Sequence, residues 1–254
     1  MKILMLGGTG YLGGNLVKAL LDDGHEITCT LRANSRQDLS GVRFITDKIA
    51  DIDAELSGGT YDWVINAVCT YKRNESLYMD MLDSNYVFPA KVLNLAAKHH
   101  VQNFLTAGTS LPVGFNMYSF TKAKLAETGQ YFSVHEGLIN FIELQLEMFY
   151  GNYPGGRSEP SGRFLRGSME KLCRNENLKL TKGLQKRDII HVEDAVNLVL
   201  RVIRAGFEGF RSLPVGTGEH HSIREIMEFL HDASSSESVL EEECIKVRHN
   251  YEGG

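Results

Sequence analysis

Tyr118 and Lys122 stand four residues apart in Tyr118-Ser-Phe-Thr-Lys122, and the helical pattern continues through Ala123, Leu125 and Ala126. At that spacing both side chains lie on one face of a helix, one turn apart. A positive charge beside a phenol favours the phenolate, so the pair predicts a tyrosine of lowered pKa. Such a phenol gives or takes a proton at a carbonyl or hydroxyl while hydride moves at the adjacent carbon. Just upstream, Phe104-Leu-Thr-Ala-Gly-Thr-Ser110 reads as a strand running into small hydroxyl residues. Thr109 is thereby placed to hydrogen-bond the oxygen that Tyr118 serves. Taken alone, Tyr-x-x-x-Lys also describes an ordinary surface helix pair, so its setting decides.

That setting begins at the N-terminal end. Ile3 to Leu6 read as a short buried strand, glycines follow at 7, 8, 10 and 13, and Leu16, Val17, Leu20 and Leu21 then recur at helical spacing. Glycine permits the tight turn and a close backbone approach to a pyrophosphate, and the helix that starts there turns its N–H groups and positive dipole end toward the phosphates. A strand before and a helix after are the context such a glycine pattern requires. The second strand ends in Leu31-Arg32-Ala33-Asn34-Ser35-Arg36, with no acid. An acid there would accept hydrogen bonds from the ribose hydroxyls of NAD. Arg32 instead forks onto a 2′-phosphate, with Asn34, Ser35 or Arg36 assisting. The expected cofactor is NADP(H), with NAD(H) left open.

Strands and helices alternate through the first half. Residues 27–31, 42–45, 63–68 and 103–106 read as further strands, and a long helix runs through Val92, Leu93, Leu95 and Ala96. Residues 141–146 look like a sixth strand. This rhythm predicts an α/β fold, a Rossmann-type doubly wound parallel sheet with helices on both faces. From Tyr150 to Pro160 the composition shifts to Gly, Pro, Asn, Ser and Arg, which reads as a loop leading into a smaller C-terminal substrate lobe. The expected division is 1–150 for the dinucleotide-binding core and 151–254 for mostly substrate lobe, with some segments returning to the core. Helices are expected at 164–173, 192–204 and 222–230. Residues 232–243 are polar, Ser-rich and acidic, and read as mobile.

A chain of 254 residues buries a full core, and its net charge of −5 with no basic block argues against nucleic acid as a partner. There is no run of about eighteen apolar residues and no signal-peptide pattern, so no membrane is expected and the localisation is read as cytoplasmic. Cys29, Cys69, Cys173 and Cys244 show no C-x-x-C spacing, and Cys29 and Cys69 fall inside apparent strands. They read as reduced, buried cysteines. Adjacent residues of a helix point different ways, so His99-His100 and His220-His221 read as surface or helix-end histidines, and no metal is expected.

In combination these motifs resemble the extended short-chain dehydrogenases/reductases, the NAD(P)-dependent epimerases, dehydratases and reductases of sugar nucleotides. The matching residues are Gly7-x-x-Gly10-x-x-Gly13, Asp62-Trp-Val-Ile-Asn-Ala67, Asn85, Thr109, Tyr118-x-x-x-Lys122, Phe149-Tyr-Gly151 and Arg187-Asp-Ile-Ile-His-Val-Glu-Asp194. The resemblance implies Tyr118 as acid/base, Lys122 on the nicotinamide ribose and Thr109 orienting the substrate oxygen. It implies cofactor contacts at Gly7, Thr9, Gly10, Tyr11, Leu12, Gly13, Arg32, Asn34, Ser35, Ala67, Val68, Asn85 and Leu146. It implies substrate contacts at Ser110, Arg163 and Arg187, with Arg187 on a diphosphate outside the strand C-termini. A homodimer is compatible with the family. Within it, Thr109-Ser-Leu111, Tyr118-Ser119, Leu146-Glu147, Phe149-Tyr-Gly151 and Thr181-Lys-Gly-Leu-Gln-Lys-Arg-Asp188 look like the CDP-3,6-dideoxyhexose synthases, such as the CDP-abequose and CDP-paratose synthases. Those enzymes resemble one another in reducing a 4-keto sugar nucleotide with NADPH.

The choice of reaction follows from three positions. The family's dehydratases carry Asp-Glu after the catalytic Thr, whereas Ser110-Leu111 follows Thr109 here, and neither is an acid. The family's epimerases hold NAD tightly with an acid after the second strand, where this chain has Arg32. The expectation is therefore NADPH-dependent reduction of an NDP-4-keto-deoxyhexose, CDP-linked by the closest resemblance, to the 4-hydroxy sugar. An NDP-sugar 4-epimerase with bound NAD is the alternative. A non-catalytic NADP-binding redox sensor is a second, although such proteins commonly lack the Tyr/Lys pair. Reduction of a non-nucleotide ketone is a third, and Arg187 argues against it.

Overall fold

Short apolar runs, several of them followed by a glycine- or polar-rich turn and a helix, build a seven-stranded parallel sheet. The computed structural model describes residues 1–32, 39–71, 78–152 and 164–241. In chain order the elements are β1 (Lys2–Leu6), α1 (Tyr11–Asp22), β2 (Glu26–Leu31), β3 (Arg43–Thr46), α2 (Ile49–Gly58), β4 (Trp63–Asn66), α3 (Tyr78–Leu82), α4 (Phe88–Lys98), β5 (Asn103–Ala107), α5 (Met117–Gln130) and β6 (Asn140–Leu146). They continue with β7 (Met148–Tyr150), α6 (Phe164–Leu172), β8 (Leu178–Lys179), β9 (Lys186–His191), α7 (Val192–Ala205), β10 (Phe210–Val215), β11 (His220–Ser222), α8 (Ile223–Ser234) and β12 (Leu240–Glu241).

The chain divides into two compact units, Met1–Leu146 with Val192–Val215, and Glu147–His191 with Gly216–Gly254. The first holds the large sheet, in the order β10-β6-β5-β4-β1-β2-β3 with every pairing parallel. Strand order reverses between β1 and β4, and in such sheets that switch point is where ligands bind, outside the strand C-termini. Its core is made from Leu4, Leu6, Val64, Val92, Leu93, Phe104 and Phe141 among others, all buried. Phe104, Phe141 and Phe210 are registered neighbours on β5, β6 and β10 and stack with centroids 5.4 and 6.1 Å apart. The second unit pairs β7 with β9 in parallel, β9 with β11 antiparallel, and β8 with β12, over a core of Leu172, Leu178, Leu180, Ile223, Ile226 and Met227.

Four expectations are corrected. The strand expected over 63–68 ends at Asn66, and Cys69, expected buried, is exposed, as is Cys173; of the described cysteines only Cys29 is buried. Cys244 lies outside the described residues, as does most of the Tyr150–Pro160 loop. The Ser-rich stretch after Asp232 is structured as far as it is described: α8 runs to Ser234, and Leu240–Glu241 pairs with Leu178–Lys179. The sheet also has a seventh strand, β10, and a helix, α2, that no strong local pattern announced.

Candidate active site

The glycine turn is closed by sterics. Gly7 has φ +75, and a Cβ on Gly13 would lie 2.1 Å from the Gly7 carbonyl oxygen. Gly10 donates to that same oxygen at 2.9 Å and serves as the N-cap of α1, with no side-chain cap and no acid in the first turn. A helix that opens on a bare glycine with no acid in its first turn suits an anion at its N-terminus. Opposite them, a Cβ on Gly7 would stand 3.0 Å from the backbone of Ala67 and Val68. Gly7, Gly10, Gly13, Ala67 and Val68 therefore meet at the switch point between β1 and β4. Tyr11 and Leu12 bury their side chains, and Thr9 is half-buried. A dinucleotide fits this cradle because a turn shaped for bare backbone leaves room for phosphate oxygens against amides.

The segment after β4 is held by buried amides. Asn66 Oδ1 accepts from the Val68 N–H at 3.1 Å while its Nδ2 donates to Thr106 Oγ1 at 3.0 Å. Asn85 accepts from the Thr70 N–H and donates to the Thr70 carbonyl, both at 2.8 Å. It sits in a π-helical turn, Asp83–Val87, between α3 and α4, a distortion that often marks functional sites. With its side chain fully buried, Asn85 fixes the backbone after β4 through Thr70. Asn66 does the same for Ala67 and Val68. It stood inside a matched motif, but its role was not read; a polar residue closing a buried strand was the available signal.

Helix α5 starts at a reciprocal cap: Asn116 Oδ1 accepts from the Ser119 N–H, and Ser119 Oγ accepts from the Asn116 N–H. Its buried face is Ser119, Lys122, Leu125, Ala126 and Gly129. A Cβ on Gly129 would fall 2.3 Å from the Phe141 ring, so glycine lets the helix lie directly on the sheet. Lys122 is consequently 2 % exposed and donates to the Val68 and Ala107 carbonyls at 2.9 and 2.7 Å. Its ammonium is 5.9 Å from the centre of the Tyr118 ring.

The expected lowering of the Tyr118 pKa is corrected. Burial pushes its hydroxyl well above the ordinary phenol range, and Cys69 and Tyr71 beside it act in the same direction. Tyr71, absent from the sequence reading, packs its ring tilted against Tyr118 with centroids 4.5 Å apart and directs its hydroxyl to the Tyr118 oxygen at 3.4 Å. Burial also pushes Lys122 down, opposed by Cys69 and Glu143. Desolvation therefore sets the direction for the phenol, while the ammonium is committed to two carbonyls. Cys29 is inert by contrast, its thiol pushed up to about 12 by burial.

The other expected residues are placed as follows. Thr109 is partly buried and accepts from the Leu111 N–H at 3.3 Å, and Ser110 is exposed, its N–H bound to the Leu146 carbonyl at 3.1 Å. Leu146 ends β6 and is buried. Arg32 is exposed at the end of β2, while Asn34, Ser35 and Arg163 lie outside the described residues. Arg187 belongs to the second unit, on β9, and donates to the Lys186 carbonyl at 2.6 Å. Its neighbour Asp188 is buried and accepts from the Thr217 N–H and hydroxyl and the Gly218 N–H at 3.0, 2.7 and 2.8 Å. Burial would raise that carboxyl; the three hydrogen bonds more than offset it and hold it below the usual range. Asp188 anchors its loop, leaving Arg187 to point elsewhere.

A glycine cradle at the switch point, with a tyrosine and a buried lysine one helical turn apart beside it, defines an NAD(P)-dependent oxidoreductase of the extended short-chain dehydrogenase/reductase type. The chain belongs to the NAD dependent epimerase/dehydratase family, whose model matches residues 3–216. It is 28% identical over 98% of its length, and 86% of the relative's, to a CDP-abequose synthase of Salmonella typhimurium strain LT2. A CDP-abequose synthase of Salmonella muenchen is 23% identical over 97% of this chain and 85% of its own. Among solved structures, MoeE5 in complex with UDP-glucuronic acid and NAD has the same fold, with a TM-score of 0.80 at 18% identity, covering 98% of this chain and 91% of its own. Among the described residues no helix is long and apolar enough to cross a membrane.

Proposed function

We propose that this protein reduces a CDP-linked 4-keto-deoxyhexose to the 4-hydroxy sugar, with NADPH as reductant. One observation supports it: the Tyr118 phenol stands one helical turn from the buried Lys122, whose ammonium is 5.9 Å from the ring centre. A protonated phenol is an acid, and ketone reduction needs an acid at the oxygen where negative charge develops. The bound nicotinamide cofactor supplies the hydride. Thr109 orients the carbonyl oxygen, Tyr118 gives it a proton, and the Lys122 charge stabilises the phenolate left behind. Ser110 and Leu111 supply no acid to assist loss of water. The substrate class is supported by the relatives named CDP-abequose synthase and by Arg187, whose planar guanidinium can meet two diphosphate oxygens. The direct test is NADPH consumption with a panel of 4-keto sugar nucleotides, CDP-linked and others; no turnover with any of them overturns the reading.

Two substitutions check its parts. Arg32→Ala weakens NADPH selectively, by about 1–3 kcal/mol for a lost charge-assisted hydrogen bond, and leaves NADH unchanged. Fluorescence titration of both cofactors at one ionic strength measures this, and equal affinities in the unmodified protein contradict the NADP preference. Arg187→Ala raises KM for a sugar nucleotide by roughly tenfold or more, the loss of at least ~1.4 kcal/mol of binding, with no change for a small ketone. Unchanged kinetics with both substrates removes Arg187 from the diphosphate site.

A further inference from the structure

Four polar side chains cross the interior of the large sheet in one line. Asn66, Thr106, Glu143 and Ser212 are successive registered partners on β4, β5, β6 and β10. Registered neighbours on adjacent strands project to the same face. The first three are 0%, 1% and 8% exposed, in a sheet whose other interior positions are almost all apolar. Asn66 donates to Thr106, and Ser212 Oγ donates to Glu143 Oε2 at 2.7 Å. Gln145, two residues along the same strand, adds a side-chain hydrogen bond to the carboxyl. Neither the sequence reading nor the proposed chemistry uses Glu143, and a carboxyl at such a position is costly unless something answers its charge.

The answering charge lies one peptide unit away along β5. Lys122 donates to the Ala107 carbonyl. The next residue, Gly108, presses against the carboxyl: a Cβ there would stand 2.6 Å from Glu143 Oε1 and 2.9 Å from the Leu144 carbonyl oxygen. Glycine is thus what leaves room for the Glu143 carboxyl at the end of β5, beside the residue whose carbonyl holds the lysine. We infer that Glu143 is a positioning residue for the Lys122–Tyr118 pair, the buried counter-charge that holds the lysine ammonium over the Val68 and Ala107 carbonyls. The inference rests on the reading of Tyr118 and Lys122 as the reactive pair. Burial raises the Glu143 carboxyl and lowers Lys122, and their mutual attraction opposes both movements. Among the described residues, the other titratable groups facing this cluster are Cys69, beyond β4, and Tyr118 and Tyr71. On β10, Ser212 does not titrate, and Arg211 is exposed with its guanidinium on the Phe210 carbonyl.

Glu143→Gln keeps the shape and removes the charge. Losing a negative neighbour lowers the pKa of any nearby acid, whether an ammonium or a phenol. The expected result is a Lys122 protonation midpoint displaced to lower pH, read by NMR titration of the lysine ε-methylene signals, with the Lys122 signal assigned by its loss in Lys122→Met. The alkaline limb of kcat/KM moves the same way, and Glu143→Asp, which keeps the charge, moves both less. An unmoved Lys122 midpoint, even with a lowered melting temperature, means that Glu143 is only structural and overturns the inference. The NMR readout needs no substrate. A displaced midpoint without turnover of any keto sugar therefore supports the counter-charge while the proposed reaction fails. If Glu143→Gln does not fold, Ser212→Ala removes one hydrogen bond from the carboxylate and moves the acid limb of kcat/KM to higher pH; an unmoved limb overturns the inference.

Discussion

Tyr118→Phe is expected to lose turnover while keeping its cofactor. The substitution removes one hydroxyl and leaves the ring against Tyr71 and the α5 backbone in place, so the cradle formed by Gly7, Gly13, Ala67 and Val68 is untouched. Loss of a positioned general acid lowers kcat by roughly 10²–10⁴-fold. NADPH affinity, measured by fluorescence titration, stays at the unmodified value. Lys122→Ala behaves differently. It removes a buried side chain that ties Val68, beyond β4, to Ala107 at the end of β5, so it lowers cofactor affinity as well as turnover. Near-normal kcat in Tyr118→Phe with a 4-keto sugar nucleotide means that another group supplies the proton. Tyr71, with its hydroxyl 3.4 Å from that of Tyr118, is then the first residue to test.

Gly13→Ala is expected to damage both the fold and the site. The added methyl would lie 2.1 Å from the Gly7 carbonyl oxygen and 2.9 Å from its carbon, both backbone atoms that no rotamer change can move aside. Helix α1 must shift away from β1, opening the turn over which the first-turn amides converge. Overpacking of this kind costs about 1–3 kcal/mol. Chemical denaturation reads the stability loss, and cofactor titration reads an affinity drop of at least roughly tenfold, equivalent to ~1.4 kcal/mol. Gly24→Ala is the control: Gly24 also has a positive φ, but a Cβ there meets nothing within 4 Å, so cofactor binding is unchanged. Unaltered NADPH affinity in Gly13→Ala would place the dinucleotide elsewhere.

Much of this protein is written in short-range pattern. The glycines at 7, 10 and 13 between an apolar strand and an amphipathic helix dictate the tight turn, because only backbone without a Cβ fits against Gly7. The four-residue spacing of Tyr118 and Lys122 puts them on one face of α5, because a helix repeats every 3.6 residues. The alternation of strand and helix determines a parallel sheet, because parallel neighbours need a crossover. Tertiary structure alone decided the rest, since each remaining feature depends on atoms brought together from distant positions. Cys69 looked buried by composition, but β4 stops at Asn66 and leaves it exposed beside Tyr118. The Tyr118 phenol looked acidic beside its lysine, but Val68 and Ala107 take the ammonium, and desolvation raises the phenol instead. Strand β10 carries Ser212 to the edge of the large sheet after a departure of 45 residues, Glu147–His191, into the second unit. No local signal in β6 marks Glu143 for the end of β5: α5, β5, β6 and β10 must all be in place before the carboxyl lies against Gly108 while the Lys122 ammonium is held on the adjoining Ala107 carbonyl, where low dielectric makes their charges matter.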